Sequence, residues 1–235
     1  MIKTVEETAS TNADMLALAA AGEPEGSWLR AETQSDGRGR MGRGWHSPIG
    51  NLYASTLVRL QSYDPPAATL ALMAAVALHE VIVAYATDNM TVMIKWPNDI
   101  LVDDAKLAGI LLERSGDAVV IGIGVNLGFH PVGLERAVTS LVAQGGEAPD
   151  PHYFCEDLAN ACAHWLARWR GVGLNIIRQA WLNGAHPVGT ALTANLGDGT
   201  SYEGLFDGLE SDGALRLLLA DRSLRVIHAG DVFLI

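Results

Sequence analysis

The pattern of apolar and polar positions divides the chain into two regions of different character. In the first region, long apolar runs with helical spacing predict helices and shorter runs predict strands. The predicted helices cover residues 10–22, 66–86, 134–143, 152–170 and 174–183. The predicted strands cover residues 27–33, 51–60, 91–95, 100–102, 108–114 and 118–125. This region is expected to fold as an α+β domain, with a mixed β-sheet and flanking helices.

After residue 186 the apolar runs become short and are separated by turns rich in Gly, Asp and Ser. They cover residues 191–196, 201–209, 214–219, 224–228 and 232–235. Short strands that are closely spaced and joined by polar turns are typical of a small β-barrel. We therefore predict two domains, residues 1–186 and residues 187–235.

Composition and charge exclude several classes of function. Lys and Arg number 16 against 27 Asp and Glu, so the net charge is −11, and binding to nucleic acid through overall charge is not expected. The most apolar stretch, residues 67–78, is too short to span a bilayer and is interpreted as a buried helix. The two cysteines, Cys155 and Cys162, lie too far apart on one predicted helix for a disulfide. We expect a cytoplasmic protein with no membrane partner.

A loop rich in Gly and Arg covers residues 37–45, GRGRMGRGW. Its glycines match the expression G-x-G-x-x-G, but a dinucleotide-binding loop needs a helix directly afterwards, and here a strand follows. Three arginines remain, Arg38, Arg40 and Arg43. A basic loop on an acidic protein favours a small anionic ligand such as a nucleotide. The alternative is a solvated surface turn that happens to be basic.

Two of the three lysines, Lys95 and Lys106, flank one turn in the segment KWPNDILVDDAK. An ammonium is a compact charge that suits a carboxylate or phosphate oxygen, whereas Arg favours bidentate contacts. The pair is therefore a candidate anion site, with two exposed lysines at strand ends as the alternative. Further on, Gly122, Gly124 and Asn126 follow a strand, where glycines allow a ligand to approach the backbone.

Four segments in this order, ETASTN, TQSDGRGRMGRGWHSPIGNLY, KWPNDILVDDAKLAGILLE and GIGVNLG, resemble the biotin–protein ligase family. The resemblance implies a class II aminoacyl-tRNA synthetase-like catalytic fold followed by a small SH3-like β-barrel. It implies that biotin reacts with ATP to give biotinyl-5′-AMP and pyrophosphate, and that a lysine of a biotin carboxyl carrier protein then takes the biotin and releases AMP. The carrier would belong to acetyl-CoA carboxylase or another biotin-dependent carboxylase. Mg²⁺ is implied as well, and a homodimer is compatible with the resemblance.

The resemblance also implies roles for individual residues. The catalytic residues would be Lys106, Arg38, Arg40 and Lys95. The biotin-binding residues would be Ser10, Thr11, Asn12, Gln34, Arg38, Gly39, Arg40, Trp45, Tyr53, Lys106 and Gly109. The residues that bind ATP or the adenylate would be Arg38, Arg40, Arg43, Trp45, Asn98, Gly124 and Asn126. The metal ligands are not identified.

The chain departs from the family pattern in three places. Asp36 replaces a small or neutral residue, and the segment after Asn126 lacks the Trp that covers adenine in some relatives. The motif at Ser10 leaves no room for a preceding helix-turn-helix domain, so we expect no DNA-binding repressor function. Two other functions remain open. A lipoate or octanoate ligase shares the superfamily fold, but its typical Arg-Arg…Gly-Gly-Gly…His-x-Asp loop is not found. A non-catalytic biotin-binding module would not need the arginines and lysines that face phosphate.

Overall fold

A seven-stranded sheet organises the first region of the computed structural model, which describes residues 1–134 and 136–235. The strand order is β1-β2-β3-β7-β6-β5-β4. The strands are β1 (Ile2–Thr8), β2 (Trp28–Gln34), β3 (Leu52–Arg59), β4 (Val92–Lys95), β5 (Asp99–Val102), β6 (Ala105–Ser115) and β7 (Ala118–Val125). Strand β1 pairs with β2 in parallel, and the other neighbours are antiparallel. The sheet is therefore mixed.

Four α-helices accompany this sheet, α1 (Thr11–Ala20), α2 (Leu70–Tyr85), α3 (Pro151–Gly171) and α4 (Leu174–Gly184). Helix α2 is apolar on nearly every side and lies in the main core. With the 3-10 turn before it, this helix is long and apolar enough to cross a membrane by length and composition, yet most of it is buried inside the protein. Helix α3 begins at the Asp150 side chain, which accepts a hydrogen bond from the His152 backbone N–H. Cys155 and Cys162 on α3 are buried free thiols.

The second region forms a five-stranded antiparallel sheet with the order β11-β10-β9-β8-β12. Its strands are β8 (Ala191–Asn195), β9 (Ser201–Leu209), β10 (Leu215–Leu218), β11 (Leu224–Ile227) and β12 (Asp231–Leu234). Apolar residues of this sheet join the same hydrophobic cluster as α2 and the first sheet. Trp181 of α4 packs against Phe206 of β9 with ring centroids 6.3 Å apart, and the Trp96 indole N–H donates to the Gly213 carbonyl at 3.2 Å. The two sheets therefore share one core.

The predicted fold class is confirmed, and two details differ. Strand β1 was not predicted, because most of its residues are exposed and it carries no continuous apolar run. The predicted helix over 134–143 is wrong: Glu135 lies outside the described residues, and the rest forms turns and an isolated bridge between Val138 and Lys106. The Lys106 N–H donates to the Ala137 carbonyl, and the Thr139 N–H donates to the Lys106 carbonyl, each at 2.9 Å. This segment uses its backbone to hold Lys106 rather than to form a helix.

Candidate active site

A cavity of about 370 Å³ lies between the first sheet, the Gly–Arg loop and strand β12. Nearly all the residues named from the resemblance line it. Those that line it are Ser10, Thr11, Asn12, Gln34, Arg38, Gly39, Arg40, Arg43, Trp45, Lys95, Asn98, Lys106, Gly109 and Gly124. Residues that lie far apart in the chain therefore meet in one place, as the resemblance implies.

One end of the cavity is a polar group built around the start of helix α1. The Gln34 side-chain oxygen accepts from the Thr11 backbone N–H at 2.9 Å and from the Thr11 hydroxyl at 3.2 Å. The Ser55 hydroxyl lies 2.8 Å from the Thr11 hydroxyl and donates to the Asn12 Oδ1 at 2.6 Å. The Asn12 Nδ2 donates to Glu113 at 2.8 Å. The group fixes donors and acceptors suited to a small polar head group.

Glycines of strands β6 and β7 form the floor of the cavity. A Cβ atom at Gly122 would lie 2.1 Å from the Asn12 Oδ1, and one at Gly124 would lie 2.6 Å from the Trp45 indole. At Gly109, a Cβ atom would meet Trp45 at 3.2 Å and the Lys106 Nζ at 3.1 Å. Side chains can lie flat on the sheet at these positions because no Cβ atom intervenes. The Trp45 indole N–H is buried here and has no hydrogen-bond partner among the described residues.

The other end of the cavity carries the lysine pair, with a buried carboxylate between the two ammonium groups. The Lys106 Nζ contacts one oxygen of Asp99, and the Lys95 Nζ lies 3.5 Å from the other. Burial raises the pKa of Asp99, but Lys106 and Lys95 outweigh burial and hold that pKa below its usual range. Burial also lowers the pKa of Lys106, against the opposing effect of Asp99. The alternative of two exposed lysines is wrong, because Lys106 is buried and Lys95 is largely covered.

Asn98 is held rigidly in the turn before strand β5. Its Nδ2 donates to the Ile110 carbonyl at 2.5 Å, and its backbone carbonyl accepts from the Ile110 N–H at 2.9 Å. These two bonds leave the Asn98 Oδ1 facing Arg40, whose guanidinium nitrogen lies 3.4 Å away. The turn therefore presents a fixed oxygen toward the lid.

The Gly–Arg loop, residues 37–45, covers the cavity as a lid. It contains a 3-10 turn, Arg40–Gly42, in which Met41 has a φ of 56°. Arg40 and Arg43 both reach strand β12, where Asp231 lies 3.3 Å from Arg40 and 3.0 Å from Arg43. Arg38 is exposed and forms no ion pair with another described residue. Arg40 and Arg43 are therefore tied to strand β12, although Arg43 remains exposed to solvent as the alternative of a solvated surface turn expects.

Two residues expected in the site lie behind its walls. Tyr53 is buried, and its hydroxyl donates to the Pro48 carbonyl at 2.7 Å; burial raises its pKa. Asn126 is buried and donates through Nδ2 to the Thr139 carbonyl at 3.0 Å. In this structure both support the loops around the cavity, and neither is among the residues that line it.

Five charged or aromatic residues at the cavity were not singled out from the sequence. These are Asp99, Asp104, Arg136, Asp231 and Phe233. Asp99 stands inside the KWPND segment, so its position between the two lysines was a signal. Asp231 and Phe233 belong to the final strand, and nothing local in the sequence indicates that this strand reaches the lid.

Comparisons with known proteins agree with this geometry. A family model described as the biotin/lipoate A/B protein ligase family matches residues 6–129, and one described as the biotin protein ligase C terminal domain matches residues 189–235. A biotin–[acetyl-CoA-carboxylase] ligase of Paracoccus denitrificans is 39% identical over 96% of this chain and 97% of its own length. A relative of the same name from Mycobacterium tuberculosis is 33% identical over 98% of this chain and 88% of its own length.

Solved structures show the same fold. A biotin protein ligase from Aquifex aeolicus, solved in complex with biotin and ATP, aligns over 100% of this chain and 99% of its own, with a TM-score of 0.86 and 22% identity. A biotin protein ligase from Leishmania major, solved with biotin, aligns over 97% of this chain and 98% of its own, with a TM-score of 0.67 and 26% identity.

Proposed function

This chain belongs to the biotin protein ligase family, and we propose that it uses ATP to attach biotin to a lysine of a biotin carboxyl carrier protein. The enzyme class follows from the family and from relatives that match over nearly their whole length. The observation that carries the proposal is the single cavity that joins the polar group at α1, the lysine pair and the arginines of the lid.

In the proposed first step, an oxygen of the biotin carboxylate attacks the α-phosphorus of ATP. The bond from that phosphorus to the bridging oxygen breaks, pyrophosphate leaves, and biotinyl-5′-AMP forms. The reactants are both anions, so the step needs fixed positive charge and exclusion of water. We assign Lys106 to the biotin carboxylate, and Lys95 with the lid arginines Arg38, Arg40 and Arg43 to the phosphates.

In the proposed second step, the uncharged amine of the carrier lysine attacks the acyl carbon of the adenylate. An amide bond forms, the acyl–phosphate bond breaks, AMP leaves, and the amine loses a proton. The chain needs no nucleophile of its own for this step. The lid must therefore protect the adenylate from water and still admit the end of one lysine side chain.

We propose that Mg²⁺ arrives with the triphosphate. The described residues contain no group of three His, Cys, Asp or Glu side chains able to hold a metal ion. Mg²⁺ is commonly bound by one or two carboxylates together with substrate phosphates. The fixed Asn98 Oδ1 in the cavity would instead offer it a neutral oxygen. The ion would reduce the repulsion between carboxylate and phosphates.

We also propose a cytoplasmic protein without a DNA-binding repressor function. The net charge of −11 opposes binding to phosphate backbones. Bifunctional ligase/repressors, such as that of Bacillus subtilis, match this chain over 70% of their own length at 32% identity. A homodimer stays a prediction from the resemblance.

The direct test is transfer of labelled biotin to a purified carrier domain in the presence of Mg·ATP. We expect pyrophosphate release with biotin alone and a labelled amide when the carrier is added. Transfer of lipoate but not biotin would favour a lipoate ligase instead. Biotin binding without pyrophosphate release would favour a non-catalytic binding module.

A further inference from the structure

Strand β12 supplies the anion that the arginines of the lid bind in this structure. Asp231 lies 3.3 Å from an Arg40 nitrogen and 3.0 Å from an Arg43 nitrogen. Arg40 also donates to the Gly230 carbonyl from two nitrogens, each at 3.2 Å. The Asp231 carboxylate and the Gly230 carbonyl therefore already bind Arg40 and Arg43, two of the cations that face the cavity.

The same strand also engages one lysine of the pair. The Lys95 Nζ donates to the Val232 carbonyl at 2.8 Å and lies 5.6 Å from the centre of the Phe233 ring. Strand β12 is the edge of its sheet, so its outward carbonyls have no neighbouring strand to bond. Lys95 and Arg40 donate to backbone carbonyls at this edge instead, and the C-terminal sheet thereby becomes one wall of the cavity.

We propose that Asp231 is a positioning residue that holds the lid through Arg40 and Arg43 until the phosphates of ATP displace it. This inference rests on the proposed function, since it assigns the competing anion as a triphosphate. A guanidinium that pairs with a carboxylate at this distance binds phosphate oxygens through the same N–H groups. Asp231 and the phosphates therefore compete for the same two side chains.

The contact of Asp231 with the two arginines is weak enough to be exchanged for a contact with ATP. The side chains are partly exposed, at 23% for Asp231, 25% for Arg40 and 43% for Arg43. Ion pairs with this exposure are weak and are screened by salt. A triphosphate carries several charges and can replace one carboxylate, and Arg40 and Arg43 can then hold the bound nucleotide instead of Asp231.

The first experiment needs no substrate. Trypsin cleaves after Arg, so the rate of cleavage after Arg40 and Arg43 measures how firmly these side chains are held. We expect Asp231→Asn to be cleaved there about two- to tenfold faster than the unchanged chain, as expected for loss of partly exposed ion pairs. Asp231→Glu keeps the carboxylate and should restore slow cleavage. Asp207→Asn is the matched control, because Asp207 pairs with Arg216 within the C-terminal sheet.

The second experiment measures ATP. If Asp231 competes with the phosphates, Asp231→Asn should lower the KM for ATP by about two- to tenfold at low salt, with kcat not increased. The difference should shrink in high salt because the charges are then screened. A higher KM for ATP in Asp231→Asn would overturn the proposal, since it would show that the carboxylate assists ATP binding. Unchanged trypsin cleavage would overturn it as well.

The two experiments separate this inference from the proposed function. Should biotin transfer fail in the unchanged chain while Asp231→Asn still accelerates trypsin cleavage, the holding contact stands and the assigned reaction does not. Should biotin transfer succeed while Asp231→Asn changes neither the trypsin cleavage nor the KM for ATP, the proposed reaction stands and the proposed role of Asp231 does not.

Discussion

Asp99 allows two ammonium groups to share a small, largely buried volume. It contacts Lys106 and lies 3.5 Å from Lys95. A buried ammonium without a partner would lose its proton rather than remain charged. Asp99 opposes this effect of burial at Lys106, and both lysines can still meet an incoming anion. The Asp99 carboxylate thus supports the charge of the site without taking part in the bonds that form and break in the proposed reaction.

Substitution of Lys106 tests the proposed electrostatic role most directly. Lys106→Ala should lower the rate of pyrophosphate release by about 10²–10³-fold, which is the loss typical of one group that stabilises charge in a transition state. Lys3→Ala is the control, because Lys3 lies on the exposed strand β1. Equal rates for Lys106→Ala and the unchanged chain would contradict the assignment.

Substitution of Asp99 should appear as a change in pH dependence. Burial lowers the pKa of Lys106, and Asp99 opposes that shift. Asp99→Asn removes the opposing charge, so the pKa of Lys106 should fall further and its ammonium should be lost at a lower pH. If that ammonium binds the biotin carboxylate, as proposed, biotin binding should be lost as the pH rises, and at a lower pH than in the unchanged chain. Titration of the biotin Kd against pH measures this, with the exposed Asp117→Asn as the control.

The same carboxylate affects stability in acid. The folded state holds the pKa of Asp99 below its usual value, so its contribution is present above the unfolded pKa, about 3.9. That contribution is lost as the pH falls through the folded value. The free energy of unfolding, measured as a function of pH in acid, should therefore fall more steeply for the unchanged chain than for Asp99→Asn.

Helices and strands were predictable from sequence where burial gives them a continuous apolar pattern. Helix α2 and strand β7 are buried along most of their length, and both were predicted. Strand β1 is exposed at most positions and is held by pairing with β2, so no apolar run marks it. Residues 136–143 do not form the predicted helix, because the Ala137 carbonyl and the Thr139 N–H bond to the backbone of Lys106, which is a tertiary effect that overrides local preference.

The candidate site shows the same division. The motifs predicted which residues meet, because their order along the chain matches a known family. Tyr53 and Asn126 lie behind the cavity walls, and a motif alone does not distinguish a residue that lines a cavity from one that supports it. The contact of Arg40 with Asp231 joins residues 191 positions apart, and no local pattern encodes such a pairing.

The end of helix α3 is fixed by a network centred on Arg170. This side chain pairs with Glu25 at 2.6 Å and with Asp64 at 3.1 Å, and it donates to the Arg59 carbonyl at 2.7 Å. The Asp64 side chain is only 1% exposed. Removal of the guanidinium would leave that carboxylate covered and without its partner, which is costly. The network therefore ties α3 to the loops beside strand β3.

Arg170→Ala should destabilise the protein by about 3–5 kcal/mol, the cost of breaking a largely buried ion pair. Chemical denaturation monitored by circular dichroism measures this change. Arg168→Ala is the matched control on the same helix, because Arg168 is half-buried and stacks on Trp165 but forms no ion pair with another described residue. A loss for Arg170→Ala no larger than that for Arg168→Ala would show that the network contributes little.

The whole molecule depends on the shared core between its two sheets. Residues of the C-terminal sheet, among them Phe206 and Leu215, belong to the same cluster as Trp181 and the apolar face of α2. A continuous core favours unfolding in one cooperative transition. It also fixes strand β12 relative to the lid, so the position of Asp231 depends on packing far from the cavity.

Trp181→Ala tests this dependence, since Trp181 is 1% exposed and packs against Phe206 across the junction of the sheets. Loss of such a side chain costs about 3–5 kcal/mol, and a shared core predicts a single transition at a lower midpoint. Tyr153→Ala, at a site 62% exposed, should leave the midpoint nearly unchanged. Because a loosened junction would move Asp231 away from Arg40 and Arg43, Trp181→Ala should also speed trypsin cleavage of the lid below the midpoint. Two separate unfolding transitions in the unchanged chain would show that the sheets fold independently. That result would contradict the statement that packing in the shared core fixes Asp231 relative to the lid.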